Sequence, residues 1–503
     1  MLTNIRLPDI VFYNANNPIN YISVFFIIIF TFCYFFYALS INKILIRNFL
    51  ILLFSLYFYY KLSGLYVILL ILIGTSDFFI GKAIFYSKKE KIKSLLVFIS
   101  ILIDVGSLIY FKYTGFFNKI RVDIVNLLFN KNLNYNDFGL SVIAPLGISF
   151  YIFKTLSYIF DIKRGLIEKP EKNYINYLLF VAFFPNILAG PISKARDLLP
   201  QFSKRVQIDD LKLGNGLFLI ICGLFKKIII ADVLGNNFVN RVFDTPEFFS
   251  NFETIMAAYS YTMQLYFDFS GYTDIVIGIA LLLGFSIEVN FNKPFLSKNI
   301  SEFWRRWHIT LSLWLNEYVY QPVVFSLRKY RKIGVVIAVI ITFIISGLWH
   351  GPAATYVIWG TLHGIAITWD IISVNFRKKL SSIINSKIYD FISIFLTFHF
   401  LVLSMVIFKT ESVYKTFIIF RKIFSGVELS IIIQWINLYK SVFITIIFAL
   451  LINFFVPGKF IDKFKSIFTK LSLVMKIIII FLIVFLIFQF TTIETQPFIY
   501  LKF

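Results

Sequence analysis

Apolar runs of about 20 residues recur along the chain, separated by short connectors that carry lysine and arginine. Twenty helical residues match the thickness of a bilayer core, and a soluble core does not need such runs in series. The runs fall near 21–41, 48–61, 64–85, 94–112, 139–160, 174–190, 213–233, 254–285, 304–325, 333–350, 353–371, 389–408, 440–457 and 473–493. Several are short or broken, so the pattern predicts an all-α, polytopic integral membrane protein with roughly 11–14 membrane segments. Charged residues make up only 15% of the 503 residues, against about 25% in a soluble domain.

The net charge of +22 would suggest nucleic acid as a partner in a soluble protein. Here the basic residues sit beside spans, as in "YSKKEKIKS" (86–94), where they orient a membrane protein. Membrane lipid is therefore the expected surrounding, and no nucleic-acid partner is expected. The alternation of basic and non-basic connectors predicts an outside N-terminus and cytoplasmic basic loops. No cleavable signal peptide is expected, because residues 1–20 lack a basic start. Cys33 and Cys222 both lie in apolar runs, so neither a disulfide framework nor a metal site is expected.

By texture the chain divides into N-terminal membrane helices (1–140), a central region (141–371) and C-terminal membrane helices (372–503). The central region holds most of the prolines, tryptophans and histidines. No internal repeat of the kind found in many transporters is visible.

Ionisable groups inside a span are expensive and normally face a partner or a cavity. In "LYFDFSGYTDIVIG" (265–278), Asp268 and Asp274 lie in an apolar helix, and Gly271 and Gly278 would admit a second helix closely. Two readings stand: a buried packing network, with Arg305 or Arg306 as partner, or a substrate contact. In "ISGLWHGPAATYVIWGTLHG" (345–364), Gly351-Pro352 should stop the helix directly after His350. A broken helix at membrane depth must line protein or a water-filled cavity. His350 would then sit at a helix C-terminus, whose dipole favours imidazolium and so raises basicity.

Between these lies "NFNKPFLSKNISEFWRRWHITLSLWL" (290–315). Ser301 is a candidate N-cap for a helix on which Trp304, His308 and Ser312 share one stripe. Trp307, Leu311 and Trp314 form the next. The segment reads either as an interfacial helix anchored by Trp and Arg, or as a site where Arg305 and Arg306 meet donor phosphates. His363 is expected to hydrogen-bond between helices, and His399 to be structural. No nucleophile elbow, P-loop, zinc motif or dinucleotide turn is present, which favours direct acyl transfer over a covalent enzyme intermediate.

Five segments together resemble the polysaccharide-modifying branch of the membrane-bound O-acyltransferase family, typified by the alginate O-acetyltransferase membrane protein. They are "PLGISFYIFKTLSYIFDIKRG" (145–165), "FFPNILAGPISKARDLLPQF" (183–202), "MQLYFDFSGYTDIVIGIALLLGF" (263–285), "NISEFWRRWHITLSLWLNEYVYQP" (299–322) and "SGLWHGPAATYVIWGTLHG" (346–364). They occur in the family's order. Ser346 stands where glycine is expected, a small departure that still permits close helix packing.

The resemblance implies a ring of tilted helices around a central tunnel, with His350 and His308 as the functional histidines. It implies transfer of an acyl group, acetyl above all, from a cytoplasmic thioester to an envelope polysaccharide hydroxyl presented from outside. The donor would be acetyl-CoA or an acyl-carrier thioester, with no bound cofactor. The acceptor would be alginate, another exopolysaccharide or peptidoglycan, reached directly or through an extracytoplasmic esterase-like partner. Asp268, Arg305, Arg306 and Trp349 would line the tunnel or the donor side, with Ser312 beside them. The setting would be the bacterial inner membrane. Two alternatives remain, a teichoic-acid D-alanyl transfer protein and a non-catalytic acyl or lipid transporter. The length of residues 372–503 argues against the first, and tolerance of a His350 substitution would mark the second.

Overall fold

The structure is a computed structural model and describes residues 12–14, 19–129, 144–490 and 497–499. Among the described residues the regular structure is entirely helical. Among these residues six helices are long and apolar enough to cross a membrane, and eight if each of two sharply bent pairs counts as one span. The sequence suggested more segments because apolar composition continues through helices that are short, broken or bent. Residues 174–190, for example, form a helix only over Tyr174–Ala182 before Pro185 opens a 3-10 turn. The residues 139–143 that opened another expected segment lie outside the described ones, and that helix begins at Ile148.

The chain divides into two compact units, residues 1–209 with 279–288, and residues 210–278 with 289–503. The first contains α1 (Val24–Ser40), α2 (Ile44–Ser63), α3 (Tyr66–Tyr86), α4 (Glu90–Phe129), α5 (Ile148–Lys163) and α6 (Tyr174–Ala182). Ser23 caps α1 by accepting the Phe26 amide at 3.1 Å, and Gly64 ends α2 with a φ of +59°. Several polar side chains buried here are matched to partners, which lowers the cost of burying them in an apolar medium. Arg47 is fully buried and donates to the carbonyls of Phe202 and Lys204 at 2.8 and 3.0 Å. Ser100 donates to Asp77 and Thr155 to Asp104, each at 2.7 Å.

The second unit contains α7 (Asp210–Phe225), α8 (Asn251–Leu282, through Gly278), the short helices α9 (Ile300–Arg306) and α10 (Ile309–Leu315), α11 (Arg331–His350), α12 (Ala354–Ile372) and α13 (Ser386–Lys409). After α7 the backbone widens into π-helical turns at Lys226–Asp232 and Gly235–Val239. The expected close approach at Gly271 and Gly278 is present. A Cβ on Gly278 would meet the Gly216 carbonyl at 2.5 Å, and one on Gly271 the Gly223 carbonyl at 2.8 Å. Helices α11 and α12 form a hairpin on the same principle. A Cβ on Gly360 would stand 2.2 Å from the Phe343 carbonyl, and one on Gly347 2.3 Å from that of Tyr356.

Candidate active site

α11 ends at His350, as the Gly351-Pro352 pair predicts, and Gly351 continues in extended backbone. The imidazole is 2% exposed and sits in a wall of aromatic rings. Trp349, Phe408 and Trp359 approach it edge-on at 4.7, 4.9 and 5.3 Å between centroids, with Tyr356 at 6.2 Å. Such rings exclude water, which strengthens any charge that develops on the imidazole during a reaction.

His308 departs from the expected continuous helix. The chain breaks at Trp307, and His308 takes a left-handed conformation (φ 42°, ψ 54°) before α10 restarts. The stripes proposed from Trp304 to Ser312 and from Trp307 to Trp314 are therefore interrupted. Ser301 is likewise not the N-cap. Asn299 caps α9 by accepting the Glu302 amide at 2.8 Å, while the Ser301 amide and hydroxyl donate to Asp370 at 2.7 and 2.9 Å.

The break follows from backbone pairing with the preceding segment. The Asn292 amide donates to the Arg306 carbonyl at 2.9 Å, and the Ile309 amide to the Asn290 carbonyl at 3.0 Å. The Asn290 side-chain oxygen then accepts from the Thr310 amide and hydroxyl at 3.1 and 2.8 Å. The same oxygen lies 3.2 Å from His308 Nδ1. An oxygen so placed is an acceptor, so Nδ1 carries the proton and the Nε2 lone pair is the ring's acceptor. Burial pushes the His308 imidazole down to about 3, which keeps the ring neutral at physiological pH.

Trp349 joins the two histidines. Its ring lies 6.1 Å from His308 and 4.7 Å from His350, and Phe269 of α8 closes the far side of His308 at 4.8 Å. Thus His308, Trp349 and His350 form one buried cluster. His363 is a packing residue, as expected: Trp304 Nε1 donates to its Nδ1 and its Nε2 meets the Ser404 hydroxyl, both at 3.2 Å. His399 Nδ1 lies 2.7 Å from the Phe395 carbonyl within its own helix.

A cavity of about 630 Å³ opens beside the cluster, lined by Ser301, Trp304, Arg305, Ser312, Thr342 and Ser346 among others. Neither histidine is part of its wall, but Ser346 lies one helical turn before His350 on the same face of α11. Arg305 is exposed there and makes no hydrogen bond or ion pair among the described residues. Arg306 is instead tied to Glu302 at 2.8 Å. The two arginines thus separate, Arg305 toward the cavity and Arg306 onto Glu302.

Asp268 pairs with Lys227 at 2.7 Å, not with Arg305 or Arg306. Lys227 also binds Asp232 at 2.8 Å, and the Ile499 amide donates to the second Asp268 oxygen at 2.8 Å. Phe498, 1% exposed, packs on Tyr272 at 4.9 Å and under the Lys227 ammonium at 4.7 Å. Asp274 pairs with Lys226 at 2.6 Å. The two lysines were not singled out in the sequence, although "LFKKIII" (224–230) places them in an apolar run, the signal that marked the aspartates. No cluster able to hold a metal ion occurs among the described residues.

The second unit thus brings together two buried histidines, one at the break between α9 and α10 and one at the end of α11, beside an arginine-edged cavity. The profile of the membrane-bound O-acyltransferase family matches residues 162–409. A probable alginate O-acetylase of Pseudomonas syringae pv. tomato is 37% identical over 376 residues, covering 73% of this chain and 68% of the relative. The peptidoglycan O-acetyltransferase of Helicobacter pylori is 35% identical, covering 62% of each chain. The teichoic acid D-alanyltransferase of Bacillus subtilis is 33% identical, covering 54% of this chain and 69% of the relative. This chain belongs to the membrane-bound O-acyltransferase family, and it is a multi-pass membrane acyltransferase.

Proposed function

We propose that this chain moves an acetyl group from a cytoplasmic thioester to hydroxyls of a cell-envelope polysaccharide, from the inner membrane of a bacterium. The observation that carries this reading is the His308–Trp349–His350 cluster, buried at a helix end one turn from the cavity that Arg305 edges. The names of the alginate O-acetylase and peptidoglycan O-acetyltransferase relatives support a polysaccharide acceptor. In this scheme His350 takes the proton of the acceptor hydroxyl. The oxygen attacks the thioester carbonyl, the carbon–sulfur bond breaks, and the leaving thiolate takes the proton from the His350 imidazolium, giving an ester, a free thiol and a neutral histidine. The acceptor is the polymer itself or the serine of an extracytoplasmic esterase-like partner that completes the transfer. Arg305 meets the phosphates of acetyl-CoA or of an acylated carrier protein, and Ser312 and Trp349 border the path. His308, neutral and held by Asn290, keeps a lone pair at Nε2 as the second functional histidine.

D-alanyl transfer to teichoic acid is the second reading, supported by the Bacillus subtilis relative. Base-releasable acetate and D-alanine, measured on each envelope polymer in wild type, a deletion strain and a His350→Ala strain with equal membrane levels, separate the two. Loss of acetate from one polymer in both mutants supports the proposal and identifies the acceptor. Retention in His350→Ala with loss in the deletion makes the protein a conduit or His350 a structural residue, and overturns the mechanism.

A further inference from the structure

Ser346 belongs to the wall of the cavity that Arg305 edges, one turn before His350 on α11, and its side chain is 1% exposed. Its hydroxyl has no hydrogen-bond partner among the described residues. A buried hydroxyl left unpaired costs free energy, so such groups are few and mark strain, a catalytic role or a bound water or ion. Serine and threonine in apolar helices relieve that cost by donating to the carbonyl four residues back. Thr342, one turn earlier in the same wall, does so and donates to the Ala338 carbonyl at 2.7 Å. Ser346 makes no such bond.

Other polar side chains of the wall are already engaged. The Ser301 hydroxyl donates to Asp370 at 2.9 Å, and the Trp304 indole to His363 at 3.2 Å. The Ser312 hydroxyl reaches the Trp307 carbonyl at 3.5 Å. Val339, Phe343 and Ile367 add hydrocarbon. On the facing helix α12, the Trp359 ring lies 5.3 Å from His350 and is 2% exposed. Its indole N–H likewise has no acceptor among the described residues.

An indole N–H can only donate, and a hydroxyl can donate or accept. What the surroundings of His350 lack is therefore an acceptor oxygen. Acyl transfer brings one, the carbonyl oxygen of the thioester, which gains negative charge when the carbon is attacked. Ser346 is the residue that joins the two places concerned. It shares the cavity wall with Arg305 and a helix face with His350.

We infer that the Ser346 hydroxyl binds the carbonyl oxygen of the acyl thioester and stabilises the oxyanion formed on attack, an inference that rests on the donor entering this cavity. The acceptor oxygen, relieved of its proton by His350, adds to the carbonyl carbon, and the π pair of the carbonyl moves onto its oxygen. Ser346 donates to that oxygen more strongly as the charge builds, and it keeps its own proton. The pair then returns, the carbon–sulfur bond breaks, and the thiolate takes the proton from His350. Ser346 stands where the family resemblance leads one to expect glycine, so this hydroxyl is a feature of this chain.

The test expresses the full chain in a strain lacking its own copy, as wild type, Ser346→Ala, Ser346→Gly or His350→Ala. Membrane levels are equal and low enough that the rate is proportional to the enzyme. The initial rate of labelled acetate incorporation into envelope polymer is read for each, and the unfolding midpoint is read on protein purified in detergent. Ser346→Ala should slow incorporation on the order of 10²-fold, the low end for loss of one oxyanion donor. Its midpoint should equal or exceed that of wild type, because the deleted hydroxyl has no protein partner to lose. Ser346→Gly removes the same hydroxyl and should be as slow, although glycine weakens a helix. A wild-type rate in Ser346→Ala, with no incorporation in His350→Ala, overturns the role of Ser346 and leaves the reading of the site standing. Wild-type rates in both overturn that reading as well. A lower midpoint in Ser346→Ala gives the hydroxyl a structural bond and overturns the inference.

Discussion

Lys227 and Asp268 form an ion pair 2.7 Å long in which both side chains are 1% exposed. Asp232 completes a triad around the one ammonium, and the Ile499 amide takes the second Asp268 oxygen. Two carboxylates buried with a single cation are held by that cation and by such donors. Removing one member of a buried pair is far more damaging than replacing the pair with apolar groups, by about 3–5 kcal/mol in known cases. Lys227→Met should therefore lower the thermal unfolding midpoint in detergent sharply, and the double variant Lys227→Met/Asp268→Leu should recover part of the loss. A double variant no better than the single one would show that the aspartate is not the stranded charge.

The Asn290–His308 contact fixes a tautomer, so Asn290→Ala should lower acyl transfer in addition to the stability lost with the two Thr310 bonds. Without the oxygen that holds the Nδ1 proton, the ring is free to place its proton on Nε2 and lose the lone pair there. Acyl transfer should fall on the order of 10²-fold, the scale of a single acid–base group. Asn290→Asp keeps an acceptor at that position and should retain more activity. The comparison is made at equal membrane levels, with turnover followed as free thiol released.

Burial of neutral His308 also gives a pH dependence of stability with a definite sign. Its folded value, about 3, lies below the unfolded value near 6.5, so below pH 6.5 the unfolded chain takes up a proton that the folded chain refuses. Stability should hold above pH 6.5 and decline progressively as pH falls toward 3. His308→Gln cannot take up that proton, so its decline over this interval should be shallower. Equal slopes for wild type and His308→Gln in acid unfolding would exclude His308 as the source.

What was legible in the sequence follows from the range of the interactions. The stop after His350 is written in Gly351-Pro352, and the helix contacts at Gly271 and Gly278 are written in the missing Cβ atoms. The break at His308 has no local mark, since neither glycine nor proline stands there. It is imposed by backbone bonds to Asn290 and Asn292, 14 to 19 residues earlier, and a helical stripe was the natural reading of the segment alone. The partner of Asp268 lies 41 positions away, and only the fold brings Lys227 to it. Likewise Arg305 and Arg306 are equivalent in sequence, and their divergence depends on Glu302 lying one turn before Arg306.

The α11–α12 hairpin should be intolerant of one added carbon. A Cβ on Gly360 would stand 2.2 Å from a backbone carbonyl, which cannot move without shifting the helix that carries His350. Overpacking of this kind typically costs about 1–3 kcal/mol and displaces backbone. Gly360→Ala should lower both thermal stability and activity. Gly106→Ala, at a glycine with nothing within 4 Å of the added Cβ, should leave both unchanged. A stable but inactive Gly360→Ala would mean that the hairpin accommodates the methyl by moving His350.

The divergence of the two arginines yields an asymmetric pair of variants. Arg306 is held by an i, i+4 bond to Glu302, and both side chains are partly exposed. Such a bond contributes at most about 1 kcal/mol, so Arg306→Gln should slightly destabilise the protein and leave its kinetics close to wild type. Arg305 has no such bond to lose and edges the cavity near the histidines, so Arg305→Gln should leave the unfolding midpoint unchanged. If it meets the donor's phosphates, its loss should raise the donor KM by at least about tenfold, the lower end of the 1.5–3 kcal/mol of a charged hydrogen bond. The effect on kcat should be small, because the contact is made equally before and during the reaction. Arg305→Lys keeps the charge without the planar fork and should fall between the two. A KM unchanged in Arg305→Gln would remove the cavity from the donor's path and leave the donor to enter elsewhere.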